Sequence, residues 1–326
     1  KATFAIIDSI IESYGVRGFS FNNGGTLTLQ DCEINSNSFE RILGKPIVLF
    51  KHDDEKSPET YNIGEEAFYH ADIVGPLEIP AFIDEVGKNA FAHCQYLNGS
   101  LILNATTVKD YSFAYSAFDG ELTLGSKINS FDQTNSRFHG FEGCKFNKLT
   151  IEPKLTTATF SIPAGMFYEL RTIEGEVRFS EQISNIGEEA FFGCTGITSL
   201  VFDRNPQKPL QIGKSAFSGC SNIAGDIEID RLVYYSTQTN KIIPEKAFYG
   251  CSSIHSIVLP NEITRISSGA FYGCTGLESI NLPRSLTSIQ ANSFYRCSNL
   301  NIDLVIPNQV VTIGDYAFYE CTSLKS

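Results

Sequence analysis

The side chains best suited to chemistry in this chain are five histidines, nine cysteines and one acidic stretch. His52, His70, His93, His139 and His255 are scattered, with no HExxH pair to hold zinc and no local signature of a serine or cysteine nucleophile. Hydrolytic or metal-assisted chemistry needs such groups assembled, so their dispersal argues against an enzyme. The acidic stretch HDDEKSPE, residues 52–59, lacks the alternating oxygen ligands and turn glycine of a calcium loop, and reads as a solvated insertion. No GxGxxG or phosphate-binding loop is present, so no nucleotide or other cofactor is expected.

The cysteines carry a different message. Eight of them, Cys94, Cys144, Cys194, Cys220, Cys251, Cys274, Cys297 and Cys321, stand three residues after a phenylalanine. Only Cys32 is out of register. Other copies of that position hold Asn22, Ile42, Ala71, Ser116 or Leu170, and this tolerance of small or apolar side chains points to buried, reduced packing thiols. Zinc ligation would call for CxxC or CxxH pairs, and a disulfide framework fits poorly with an odd count and equivalent placement.

Using the phenylalanine as anchor, the pattern recurs at Phe19, Phe39, Phe68, Phe91, Phe113, Phe141, Phe167, Phe191, Phe217, Phe248, Phe271, Phe294 and Phe318, about 25 residues apart on average. A period of this length predicts stacked coils, each contacting only its neighbours, and hence a single domain over residues 1–326 with about thirteen repeats. Five residues before most anchors comes an aliphatic such as Ile63, Val86, Ile186 or Ile289; the exceptions are Tyr14 and Ser136. A glycine often follows it, as at Gly64, Gly87, Gly187, Gly213 and Gly314, suggesting a sharp turn with positive φ. Segments such as EEAFFGC then predict a short helical turn with Phe and Cys on one inward side. Earlier in each unit, alternation such as Ile280-Asn281-Leu282 predicts a short strand, closed by a proline that cannot donate to the ladder.

The spelling of residues 277–300, Leu-x-x-Ile-x-Leu-Pro-x-x-Leu-x-x-Ile-x-x-x-x-Phe-x-x-Cys-x-x-Leu, resembles the BspA-like leucine-rich repeats, also called the Treponema pallidum type. So do IGEEAFFGCTGITSL at 186–200 and IGDYAFYECTSL at 313–324. The resemblance implies an α/β leucine-rich-repeat solenoid, a horseshoe or superhelix, with a parallel sheet on one face and short helical turns and strands on the other. It also implies a non-catalytic protein of the cell surface or secreted space, adhering to a protein or glycan. Abundant free thiols favour the alternative, a cytoplasmic interaction scaffold of the same fold.

Net charge of -12, without a basic run, argues against nucleic acid and anionic membrane surfaces as partners. No apolar stretch is long enough to insert into a membrane. The pattern starts and stops within a unit, so a longer parent chain is expected, and with it any signal or anchor. Binding has two candidate surfaces. The outward strand row, Glu78, Ile102, Thr123, Thr150, Arg178, Val201, Glu228, Val258, Asn281 and Val305, is rich in Ile and Val for a solvated face. β-Branched residues also stabilise exposed strands without any partner. Long intervals at 50–61, 125–138, 202–209 and 230–241 form the second, a rim with Phe131, Arg204, Tyr234 and Tyr235 as anchors. A third row, Tyr69, Tyr168, Tyr249, Tyr272, Tyr295 and Tyr319, follows the anchor directly and, unbroken in the last four units, predicts a stacked stripe. Asn98 and Asn104 stand in glycosylation sequons.

Overall fold

The computed structural model describes residues 2–21, 24–53, 55, 60–132, 137–152, 159–205, 208–229, 233–234 and 241–325. They form a parallel β-solenoid of about 12 turns, of leucine-rich-repeat type. The chain divides into two compact units, Lys1–Thr156 and Thr157–Ser326.

In the first unit the inward aliphatic of each coil lies in a six-stranded parallel sheet, whose strands include Glu33–Ile34, Tyr61–Ile63, Ile83–Val86 and Thr107–Val108. Ile34 faces Ile63, Ile63 faces Val86 and Val86 faces Val108, all buried. A second row, Leu77–Ile79, Leu101–Leu103, Glu121–Leu124 and Lys148–Ile151, forms a separate four-stranded parallel sheet. Anchors stack between these rows: Phe39 on Phe68 and Phe68 on Phe91 at 4.9 Å, then Phe113 and Phe141. The second unit repeats the plan, with Phe167, Phe191, Phe217, Phe248, Phe271, Phe294 and Phe318 stacked at 4.8–5.8 Å. A lone coil leaves both faces of its ring wet, and stacking removes them from water.

The expected helical turns are absent: no helix occurs among the described residues. The reason lies in how the anchor segment spends its N–H groups. Those of Glu66, Phe68 and His70 donate to Lys88, Ala90 and Ala92 of the next coil at 2.7–3.0 Å. The intervening Ala67, Tyr69 and Ala71 donate three residues back, to Gly64, Glu66 and Phe68. Every second donor is thus committed to a neighbour, and an i to i−4 helix cannot form. Residues two before and two after the anchor take left-handed φ, as at Glu66 (56°), His70 (55°), Asn89 (55°) and His93 (60°). Helix propagation requires uninterrupted negative φ.

The glycines after the inward aliphatic have no positive φ. They are required by proximity instead: a Cβ on Gly87 would lie 2.5 Å from the Gly64 carbonyl carbon, and one on Gly213 2.4 Å from the Glu188 nitrogen. The first anchor also moves. Val16 N donates to Ser38 O and Gly18 N to Glu40 O, the pairings made by later anchors, so Val16 takes the place expected for Phe19. Ile11, five residues earlier and buried, then obeys the rule, and Tyr14 (φ 62°) is the left-handed residue two before the anchor. Phe19 is 42% exposed and stacks on Phe4 at the margin.

All nine cysteines are free, eight of them buried. The register-bound eight share one contact: Sγ donates to the carbonyl of the preceding coil's anchor at 2.9–3.2 Å. Where the position is Ser116, its Oγ donates to Phe91 O in the same way. Where the side chain is Cys or Ser the position thus gains a weak donor beyond the packing role read from the sequence, while Ile42, Ala71 and Leu170 only fill it.

Candidate functional site: an apolar depression on the strand face

Parallel register in the first unit sets Glu78, Ile102, Thr123 and Thr150 in one outward row, while Leu77, Leu101, Leu122 and Leu149 turn inward. The row expected from the sequence is present here. Beside it lies strand Pro46–Lys51, which pairs with Gly25–Gln30 in a different sheet. Pro76 and Pro80 flank Leu77–Ile79, have no N–H to extend the ladder, and hold that strand to three residues beside a six-residue neighbour.

At this junction the surface sinks into a depression of about 390 Å³, lined by Ile47, Leu49, Phe50, Pro76, Pro80 and Ile102, with Glu78 and Ser100 as its polar members. Ile47, Leu49 and Ile102 are 38, 41 and 39% exposed. Three large aliphatics gathered in a concavity on a strand face form a patch, unlike single exposed apolar residues, which need no explanation. Its lining is mostly apolar, with one carboxylate and one hydroxyl, and offers a surface to bind.

In the second unit, Arg178 stands opposite Val201, and Glu228 opposite Val258. Val258 is exposed, Val201 half-buried, and Arg178 is engaged by Asp203 and Glu176 of its own chain. Exposed pairs of this kind contribute little stability and keep the guanidinium oriented. The rim residues separate. Phe131 pairs with Val108 as the next member of the inward column and packs on Phe138 at 4.9 Å, half-buried, so it stands in the ladder instead of on a rim. Arg204 is exposed. The backbone of Tyr234 pairs with Gln211 in strand Val233–Tyr234, and Tyr235 lies outside the described residues. Most of the acidic stretch 52–59 does too.

The histidines are more organised than their scatter suggested. His52 Nδ1 lies 2.6 Å from the buried Asp31 carboxylate, one residue beyond strand Pro46–Lys51. His139 and the buried Asp110 pair likewise at 3.4 Å. His70 and His93 stack at 4.8 Å, and Tyr115 continues the column at 5.0 Å. Burial, then the neighbouring His93 and Arg41, hold His70 below the ordinary imidazole range. Sequence reasoning missed this column although its signal was available: all three residues stand two after an anchor. The tyrosine stripe is present, with Tyr249, Tyr272, Tyr295 and Tyr319 stacked at 4.6–5.1 Å. Among the described residues no three His, Cys, Asp or Glu are placed to hold a metal ion, and no helix is long and apolar enough to cross a membrane.

Coils bridged by alternate hydrogen bonds, with a strand row outside and a Phe–Cys ladder within, define the leucine-rich-repeat class of β-solenoid. The chain belongs to the BspA type leucine-rich repeat family, whose model matches residues 55–157, 134–238 and 241–326. No curated protein matches it. Similar solved structures include the Treponema pallidum leucine-rich repeat protein TpLRR, 23% identical over 67% of this chain and 82% of that one, TM-score 0.46. Another is the pneumococcal vaccine antigen PcpA, 14% identical over 94% of this chain and 79% of that one, TM-score 0.46. A leucine-rich cell surface protein from Faecalibacterium prausnitzii is 19% identical over 85% of this chain and 77% of that one, TM-score 0.42.

Proposed function

We propose that this chain is a non-catalytic binding solenoid that holds a protein partner against the outward strand face of its first unit, in a cell-surface or secreted protein engaged in adhesion. The observation that carries the reading is the aliphatic depression formed by Ile47, Leu49, Pro76, Pro80 and Ile102. A partner covering it removes exposed apolar area from water, the main driving force of association. Protein is favoured over glycan because the lining is mostly aliphatic, with Phe50 its one aromatic ring and Glu78 and Ser100 its only polar side chains, too few to satisfy the hydroxyls of a sugar. Family membership supports the class of activity, and the repeat array supplies a rigid base for the site.

Beads coated with the protein and offered to epithelial or bacterial cells test it. Adhesion is expected to fall about 10-fold or more in the Ile47→Asp/Ile102→Asp variant, by analogy with buried interface anchors. It should also fall on protease-treated cells, while Lys127→Ala behaves as wild type. Both substituted side chains are exposed, so the fold survives. Adhesion unchanged by the double substitution removes the reading. The free, buried thiols support a second reading, an intracellular scaffold using the same face; recovery of the native protein in the cytosolic fraction would favour it.

A further inference from the structure

The turn entering strand Leu101–Leu103 contains an exposed Asn98 and a half-buried Gly99, a pair that the binding reading leaves unused. Two neighbouring coils converge on it. Gly99 N donates to Asp119 Oδ1 of the following coil at 2.7 Å, and Gly75 N of the preceding coil donates to Asn98 Oδ1 at 3.2 Å. Gly99 itself takes φ +82° and has no Cβ to shield its nitrogen. We propose that Asn98 is a self-modifying site: it deamidates through a succinimide, with Asp119 as general base and the Gly75 N–H as oxyanion donor.

The two hydrogen bonds assign the base and the oxyanion donor. The Gly99 nitrogen attacks Asn98 Cγ while its proton passes to the Asp119 carboxylate with which it is already hydrogen-bonded. The new N–Cγ bond pushes the carbonyl electrons onto Oδ1, where the Gly75 N–H meets the developing charge. Collapse of this intermediate breaks the Cγ–Nδ2 bond. Nδ2 leaves with the proton held by Asp119 as ammonia, and the carboxylate is restored. Water then opens the ring at either carbonyl, giving aspartate or isoaspartate. The net change is one amide and one water converted to one acid and one ammonia, with no oxidant or cofactor involved.

The consequence falls on the candidate binding surface. Gly75 precedes Pro76, and Ser100 follows Gly99; Pro76 and Ser100 both line the depression. Deamidation places a negative charge at its lip next to Asp119, and the isoaspartate product adds a methylene to the backbone one turn before Leu101. A glycan on Nδ2 would remove the ammonia leaving group, so the sequon and the succinimide compete for one atom. Of the chain's two Asn-Gly pairs, the other, Asn23-Gly24, lies partly outside the described residues.

Peptide mapping by mass spectrometry, on unglycosylated protein aged at physiological pH and temperature, reads the reaction at Asn98 separately from Asn23. The native chain is expected to convert Asn98 about 10-fold faster than the same chain in urea, a modest return for an exposed general base. Asp119→Ser keeps a hydroxyl acceptor for the Gly99 N–H but no base, and should slow conversion to the urea rate or below. Native Asn98 ageing no faster than unfolded, or Asp119→Ser ageing at the wild-type rate, overturns the proposal. If Asp119→Ser fails to fold, the native-against-urea comparison of the wild type decides alone.

Discussion

A cysteine three residues after the anchor does two jobs: it fills a gap in the stack and its S–H meets a carbonyl of an adjacent coil. Burial pushes the thiols of Cys94, Cys144, Cys220 and Cys274 from an ordinary value of 9.0 up to about 12. In the unfolded chain the same thiols ionise near 9, so between about pH 9 and about pH 12 the folded state binds more protons. Stability is therefore intact below pH 9 and falls as pH rises through this window, by up to about 1.4 kcal/mol per pH unit for each such thiol. Urea midpoints at about pH 8 and about pH 10 should show that loss, and Cys274→Ala should make it shallower. An identical alkaline loss in the variant would remove the thiols as its cause. Cys321, partly exposed, differs: a hydrogen bond with Cys297 lowers its own value and raises that of its partner. It should be the first thiol that a disulfide reagent labels in native protein, the other seven in register reacting only on unfolding.

At the level of one coil, the balance between local and inter-coil hydrogen bonds decides the geometry, and this balance is where sequence reading was least informed. The inward column at Ile63, Val86, Ile186 and Ile289 was legible because spacing to a large anchor survives any change in turn type. Helix against turn was not legible, because the choice depends on whether Phe68 N donates within its coil or to Ala90 of the next, and local propensity is silent about a neighbour 22 residues away. Phe19 misled for a related reason: an aromatic in the right neighbourhood outweighed Val16, whose place is shown only by its bond to Ser38. Insertion hid Phe131, which stands ten residues before Phe141 instead of five. The outward row around Glu78 and Ile102 was readable by alternation, whereas the depression beside it arises from two sheets meeting, which no single strand records. The glycines test the corrected account. Gly213→Ala should destabilise by about 2–4 kcal/mol in urea unfolding, since its Cβ would overlap backbone at 2.4–2.5 Å. Gly225→Asn, at φ +80° with open space around it, should cost less than about 1 kcal/mol. Equal costs at the two positions would remove close backbone approach as the reason Gly213 must be glycine.

Across a whole unit, stability is a chain of nearest-neighbour terms, because each ring is covered only by the coils beside it. In the second unit Phe217 carries an unusual share: it stacks on Phe191 and Phe248 and takes the edges of Phe179 and Phe202. Removing its ring leaves two coils facing a cavity that backbone ladders on either side prevent from closing. Phe217→Ala should therefore cost about 3–5 kcal/mol, the range for buried aromatic truncations. The more telling readout is where the cost appears. In a one-dimensional stack, amide exchange should accelerate most for the donors bridging the altered coil, Phe191 N to Ala216 O and Phe217 N to Ala247 O, and progressively less toward Phe294. A globular core would spread the loss evenly, since every element would share the cavity. Uniform acceleration from Phe167 to Phe318 would show that this unit opens as one body, and that its coils do not hold by neighbour contacts alone.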